Sequence, residues 1–180
     1  ESIRVASWNC CSLNHQATMW ISAMGNPGSV TALQEVRVSR DQMSDLQKDL
    51  VTKKKLFIAN DGLTGFFVNP NDHMNVIDGS FVDDGKYFSS ITIKVNRKKI
   101  LFFNIYQLST TNNVKDFDKV YDRVKKFLTE NGNKNGMNIT YDEVLIMGDF
   151  QVHLNAEEIQ NLVGSDEAPS RWGIEGTKTG

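Results

Sequence analysis

The chain reads as an α/β protein, with strand and helix alternating at the N-terminal end and hairpins filling the middle. Two apolar runs, Ile3 to Asn9 and Val30 to Leu33, flank a segment whose apolar residues recur at helical spacing, the order of a strand-helix-strand unit. Between Leu56 and Val95 the pattern changes to short apolar or alternating runs, broken by Asp61-Gly62, Pro70-Asn71-Asp72 and Asp84-Gly85, which signals antiparallel hairpins. Late in the chain Val144 to Met147 is an apolar run that stops at Gly148-Asp149, as expected of a strand covered on both faces. These patterns are compatible with either α/β or α+β.

The first helix is expected from Asn14 to Met24, with Ala17, Trp20, Ile21 and Met24 on one face and Gly25, Pro27 and Gly28 ending it. The second strand leads into Gln34 and Glu35. Ser39 is read as the start of a second helix with Met43, Leu46 and Leu50 on its apolar face. Short strands follow at Leu56 to Ala59, Phe66 to Asn69, Asn75 to Ile77 and Phe88 to Val95. Asn96 to Lys98 then turns into Ile100 to Tyr106, so 88–106 is expected as one hairpin. Asn113 to Asn131 carries the clearest helical stripe, with Val114, Phe117, Val120, Tyr121, Val124 and Leu128 on one side and Gly132 just past its end. After an Asn- and Gly-rich loop, the strand at Val144 is expected to bury Leu145 in one core with Phe117. Asn155 is expected to cap a short helix through Val163, and the residues after Ser165 show little periodicity.

A length of 180 residues fits one domain spanning 1–180, long enough for one sizeable core. Hydrophobic residues at 39% and charged residues at 23% match an ordinary globular protein, and no apolar run is long enough to cross a bilayer. No membrane partner is expected. The net charge of -2 gives no global attraction to a polyanion, so nucleic acid would have to be drawn by local groups or bound cations. Lys53-Lys54-Lys55, Arg97-Lys98-Lys99 and Lys125-Lys126 are read as solvated faces. Cys10 and Cys11 are adjacent, which does not make a disulfide framework, and an intracellular, reducing compartment fits them. The first residues show no charged leader followed by an apolar core.

Four strands end in polar side chains: Asn9, Glu35, Tyr106 and Asp149. A carboxylate delivered by a buried strand to a sheet edge is suited to holding a metal. In this order Trp8-Asn9, Leu33-Gln34-Glu35, Asn104-Ile105-Tyr106 and Gly148-Asp149-Phe150 resemble the motifs of the endonuclease/exonuclease/phosphatase superfamily. That superfamily includes pancreatic DNase, abasic-site endonucleases, inositol phosphate phosphatases, sphingomyelinases and retrotransposon endonucleases. The resemblance runs from about residue 3 to about residue 154. It implies a DNase-like four-layer α/β sandwich, two facing mixed sheets flanked by helices, with the C-terminal strands missing.

The resemblance also implies roles. Glu35 corresponds to the ligand of Mg²⁺ or Mn²⁺, with Asn9 helping directly or through water, and hard oxygen ligands of this kind suit such ions. Asp149 corresponds to the residue that orients or activates the attacking water, and Tyr106 to one that contacts the scissile phosphate. Asn104 is expected only to support its strand. Two departures stand out. Gln151 replaces the Asn of Gly-Asp-Phe-Asn, and its extra methylene moves the amide by about 1.5 Å, a displacement that costs rate. The C-terminal Ser-Asp-His has no match, since His15, His73 and His153 lie elsewhere and Ser165-Asp166-Glu167 follows Asp149 too soon.

Two functions follow from the resemblance. The first is a Mg²⁺-dependent phosphodiesterase acting on nucleic acid, DNA rather than RNA, of retrotransposon or abasic-site endonuclease type, because Gly62 to Val68 resembles a hairpin of those enzymes. The alternative is an inactive pseudoenzyme, a scaffold or nucleic-acid-binding subunit whose protein partner covers the incomplete C-terminal edge.

Overall fold

A computed structural model of the chain describes residues 2–106, 114–130 and 140–150. Two sheets face each other. The first runs in the order β1 (Arg4–Asn9), β2 (Ser29–Gln34), β4 (Thr64–Asn69), β3 (Leu56–Ala59). The second runs β5 (Met74–Val76), β7 (Phe88–Val95), β8 (Lys98–Tyr106), β9 (Glu143–Asp149), with β6 (Val82–Asp83) paired to β7 off that path. Both sheets are mixed: β1 and β2 are parallel, as are β8 and β9, and the remaining pairs are antiparallel.

Helix α1 (His15–Met24) is the crossover between β1 and β2, and Asn14 caps it by accepting from the Ala17 N–H at 2.8 Å. With α2 (Asp45–Thr52) it covers the outer face of the first sheet, where Leu13, Ile21, Leu33, Leu50, Leu56 and Phe67 pack together. Helix α3 (Val114–Thr129) covers the outer face of the second sheet through Val120, Val124 and Phe127 against Leu101, Phe103 and Ile105. Between the sheets lie Val30, Ala32, Phe66 and Val68 from one side and Ile91, Ile93, Phe102 and Met147 from the other. Strand alternation produces this sorting: in β8, Leu101, Phe103 and Ile105 point to the helix while Phe102, Asn104 and Tyr106 point between the sheets. The layers run helix, sheet, sheet, helix, the four-layer sandwich.

The structure differs from the sequence reading in three places. The segment at Ser39 is not one helix: a short 3₁₀ turn, Arg40–Gln42, is followed by extended Met43, and Ser44 caps α2. The middle strands do not form one run of hairpins, because β4 pairs with β2 and β3 while β5 pairs with β7, so the chain changes sheets between β4 and β5. Leu145 is not buried; it is 36% exposed, although Met147 two residues on is 8% exposed. Among the described residues β9 is hydrogen-bonded to β8 alone, so its inward-facing side chains are covered on one flank only. Among the described residues strand β1 is likewise an edge, with Val5 and Trp8 each 40% exposed. The Phe117 side chain, Gln151, His153, the helix from Asn155 to Val163 and any C-terminal strands lie outside the described residues.

Candidate active site

The parallel pairs β1–β2 and β8–β9 bring four C-terminal strand ends to one rim. Asn9 pairs in register with Gln34, which precedes Glu35, and Tyr106 pairs with Asp149. Each of the four polar residues leaves a strand whose preceding residues are held by the ladder, so backbone positions are fixed before any side-chain contact forms. Gly148 is required by this geometry. Its φ is +143°, and a Cβ there would overlap the Ile105 carbonyl and N–H of the neighbouring strand. Glu35 itself adopts a left-handed φ of +52°, uncommon for a non-glycine, and its carbonyl accepts from the Ser12 N–H at 2.8 Å.

One side chain joins the cluster. The Asn9 amide nitrogen donates to Glu35 Oε1 at 2.9 Å and to Asp149 Oδ2 at 3.1 Å, linking the two sheets across their rim. Asn9 Oδ1 accepts from the Cys11 backbone N–H at 3.2 Å, which fixes the amide's direction. In this arrangement Asn9 acts on both carboxylates as a donor. The Asn9 hydrogen bond holds the Glu35 carboxyl below the usual range, helped by the Tyr106 hydroxyl and the Arg37 charge. Burial pushes the Tyr106 phenol up, and its bond to Glu35 acts the same way, so Tyr106 remains a protonated donor at neutral pH.

Arg37 belongs to this cluster and is absent from the residues singled out in the sequence. It pairs with Glu35 Oε2, and its charge acts on the Tyr106 phenol against the upward push of burial. The signal that would have pointed to it is weak: an Arg two positions after a strand-end Glu reaches the same rim only because both residues adopt left-handed φ, +52° and +51°.

Behind the rim a polar bridge crosses the apolar core. Asn104, fully buried on β8, donates to the carbonyls of Leu33 on β2 and Gly65 on β4, each at 2.8 Å. Its Oδ1 accepts from Gln34 Nε2 at 2.8 Å, and that nitrogen also donates to Ser7 Oγ at 3.1 Å. Asn104 thus does more than support its own strand; it ties the second sheet to β2 and β4 of the first, and through Gln34 to β1, immediately beneath Glu35 and Tyr106.

The donor set fits a hard divalent cation. Mg²⁺ keeps several waters and takes one or two protein carboxylates; Glu35 is the carboxylate available to it, and Asp149 stands beside Glu35 through the shared Asn9 amide, placed toward a water of the cation. Among the described residues no group of three or more His, Cys, Asp and Glu comes together. The outward basic residues are largely matched by acids, with Lys53 on Asp49, Lys54 on Asp78, Lys98 on Glu143 and Lys126 on Glu130. On the opposite face of β1, Trp8 and Trp20 line an open cleft of about 340 Å³ with Asn14, Gln16 and Ala17. No described helix is long and apolar enough to cross a membrane.

No family model and no curated protein matches the sequence. Solved structures do resemble it. D. rerio TDP2 humanized by 14 mutations superposes with a TM-score of 0.57 at 15% identity, covering 90% of this chain and 71% of that one. An endonuclease/exonuclease/phosphatase family protein from Bacteroides thetaiotaomicron gives 0.56 at 16% identity, covering 91% and 68%. A variant of the Neisseria 3′ phosphatase NExo, bound to a product DNA hairpin, gives 0.50 at 13% identity, covering 83% of this chain and 58% of that one. Against NExo the chain therefore spans less than two thirds of its neighbour's length. The chain has the DNase-like four-layer fold of the endonuclease/exonuclease/phosphatase superfamily, whose motifs its strand ends resemble.

Proposed function

We propose that the chain is a single metal-dependent phosphodiesterase-type domain acting on nucleic acid. Glu35 holds Mg²⁺ or Mn²⁺, Asp149 orients the attacking water, and Tyr106 donates to the phosphate. The observation that carries this reading is the single Asn9 amide bonded to both Glu35 and Asp149, which sets two carboxylates from different sheets at a fixed separation. A bound divalent cation supplies phosphate neutralisation and a more acidic water. The rest falls to the chain. The lowered pKa of Glu35 keeps it an anionic ligand, and the raised pKa of Tyr106 keeps it a donor. Because Asn9 donates to it, Asp149 is turned toward the same side of the rim, able to accept a proton from water there.

Nucleic acid as substrate is supported by the DNA-bound neighbour NExo. The finer reading, a DNA endonuclease of retrotransposon or abasic-site type, rests on the resemblance of Gly62 to Val68, which run from the end of a 3₁₀ turn through most of β4. The test is single-turnover cleavage of labelled DNA and RNA oligonucleotides, plain and abasic, with protein in excess. Cleavage of DNA that requires Mg²⁺ or Mn²⁺ and stops with chelator is expected. Metal-dependent binding without any cleavage would replace the enzyme with a nucleic-acid-binding subunit.

A further inference from the structure

We propose that Arg37 is a displaceable cation: it occupies the outer oxygen of Glu35 in the metal-free protein and moves to the substrate phosphate once a divalent cation takes that oxygen. This rests on the metal-binding reading of Glu35. The backbone around Arg37 is fixed. Val36 is fully buried, its carbonyl accepts from the Leu13 N–H at 2.7 Å, and the Arg37 N–H donates to the Gly62 carbonyl. The side chain beyond that anchor is 58% exposed, whereas the Glu35 side chain it pairs with is 14% exposed. A firmly held Cα carrying a mostly solvated, jointed side chain is the geometry of a group that can change partner without moving the loop.

Charge decides which partner it takes. Without metal, Glu35 and Asp149 place two negative charges on one rim, and Arg37 contacts the first of them. A divalent cation and a guanidinium compete for one carboxylate oxygen, because their like charges would sit within a few ångströms of each other. With a cation on Glu35, Arg37 would be weakened as its partner and left free to pair with another anion. Its charge already bears on Tyr106, the phenol assigned to the phosphate, so the freed guanidinium remains on the same rim. A guanidinium matches phosphate oxygens with paired N–H donors better than any other side chain. Metal and substrate binding are thus coupled through one side chain: Arg37 competes with the first and aids the second.

Opposite effects on two affinities give the test. Mn²⁺ is titrated calorimetrically into wild type, Arg37→Gln and Arg37→Lys, and each protein then binds, at saturating Mn²⁺, a labelled DNA oligonucleotide whose bridging 3′-oxygens are replaced by methylene groups, a phosphonate linkage that keeps the phosphoryl oxygens and is not hydrolysed there. Arg37→Gln is expected to bind Mn²⁺ about two- to fivefold more tightly, the weight of an exposed ion pair. It is expected to bind the oligonucleotide about tenfold more weakly, the weight of a charged hydrogen bond. Arg37→Lys should lie between wild type and Arg37→Gln in both. Unchanged or weaker Mn²⁺ binding by Arg37→Gln, or unchanged oligonucleotide binding, overturns the proposal while leaving Glu35 as a ligand. Wild type that binds no Mn²⁺ overturns the metal reading itself, and the role of Arg37 with it.

Discussion

Asn104→Ala probes the bridge on which the rim stands. The side chain is fully buried and makes three hydrogen bonds of 2.8 Å, to the carbonyls of Leu33 and Gly65 and from the Gln34 amide. A buried hydrogen bond contributes about 1 kcal/mol net, and a partner left without its bond costs about 1 to 3 kcal/mol. Gln34 keeps Ser7 as a second acceptor, which softens its loss. Three lost bonds and the space left by the amide therefore come to about 3 to 5 kcal/mol. That is a large share of the ~5 to 15 kcal/mol that holds a typical domain. Urea denaturation followed by tryptophan fluorescence and circular dichroism measures it directly. A loss below about 1 kcal/mol, the range of surface substitutions, would refute the idea that Asn104 joins the two sheets. Asn104→Asp should be at least as damaging, since it sets a carboxylate against two backbone carbonyls.

Two further outcomes follow from exposure. Leu145→Ala should cost less than about 1 kcal/mol, because the side chain is 36% exposed, whereas Phe102→Ala, fully buried between the sheets, should cost about 3 to 5 kcal/mol; equal losses in urea denaturation would show that β9 is covered on both flanks. Burial pushes the Cys10 thiol up while Cys11 is exposed, so iodoacetamide should label Cys11 first at neutral pH and Cys10 only as pH rises beyond the usual thiol range. Mass spectrometry showing equal labelling at neutral pH would contradict that burial.

What could be read from the sequence was what local pattern controls. The β1-α1-β2 unit was legible because its strands are apolar runs and Asn14, Gly25 and Pro27 punctuate the helix between them. Hairpin β7–β8 was legible because a single turn joins two long strands. The start of α2 was misread because the chain carries two Ser-x-x-Gln boxes in succession, Ser39 with Gln42 and Ser44 with Gln47. Both form, but only the second is followed by a helix, and buried Gln47, donating to the Leu13 carbonyl, ties that one to the core. The run Val144 to Met147 states that a strand is apolar, not which neighbours flank it, so the exposure of Leu145 could not be foreseen. At the rim, Asn9, Glu35, Tyr106 and Asp149 were found through strand ends and the resemblance. Arg37 and the true reach of Asn104 depend on left-handed backbone and on contact across the sheets, neither of which leaves a mark in local sequence.

In the proposed function one rim holds a metal through Glu35 and works on a phosphodiester through Asp149, two roles that a single rate measurement can separate. Single-turnover cleavage of a labelled DNA oligonucleotide is followed as Mn²⁺ is raised, in wild type, Glu35→Gln and Asp149→Ala. The expected result is that Glu35→Gln moves the Mn²⁺ midpoint to higher concentration. Asp149→Ala is expected to lower the rate at saturating Mn²⁺ by about 10² to 10⁴, as loss of a positioned base does, with the Mn²⁺ midpoint little changed. Cleavage independent of Mn²⁺, or identical curves for all three proteins, would contradict the assignment of both carboxylates.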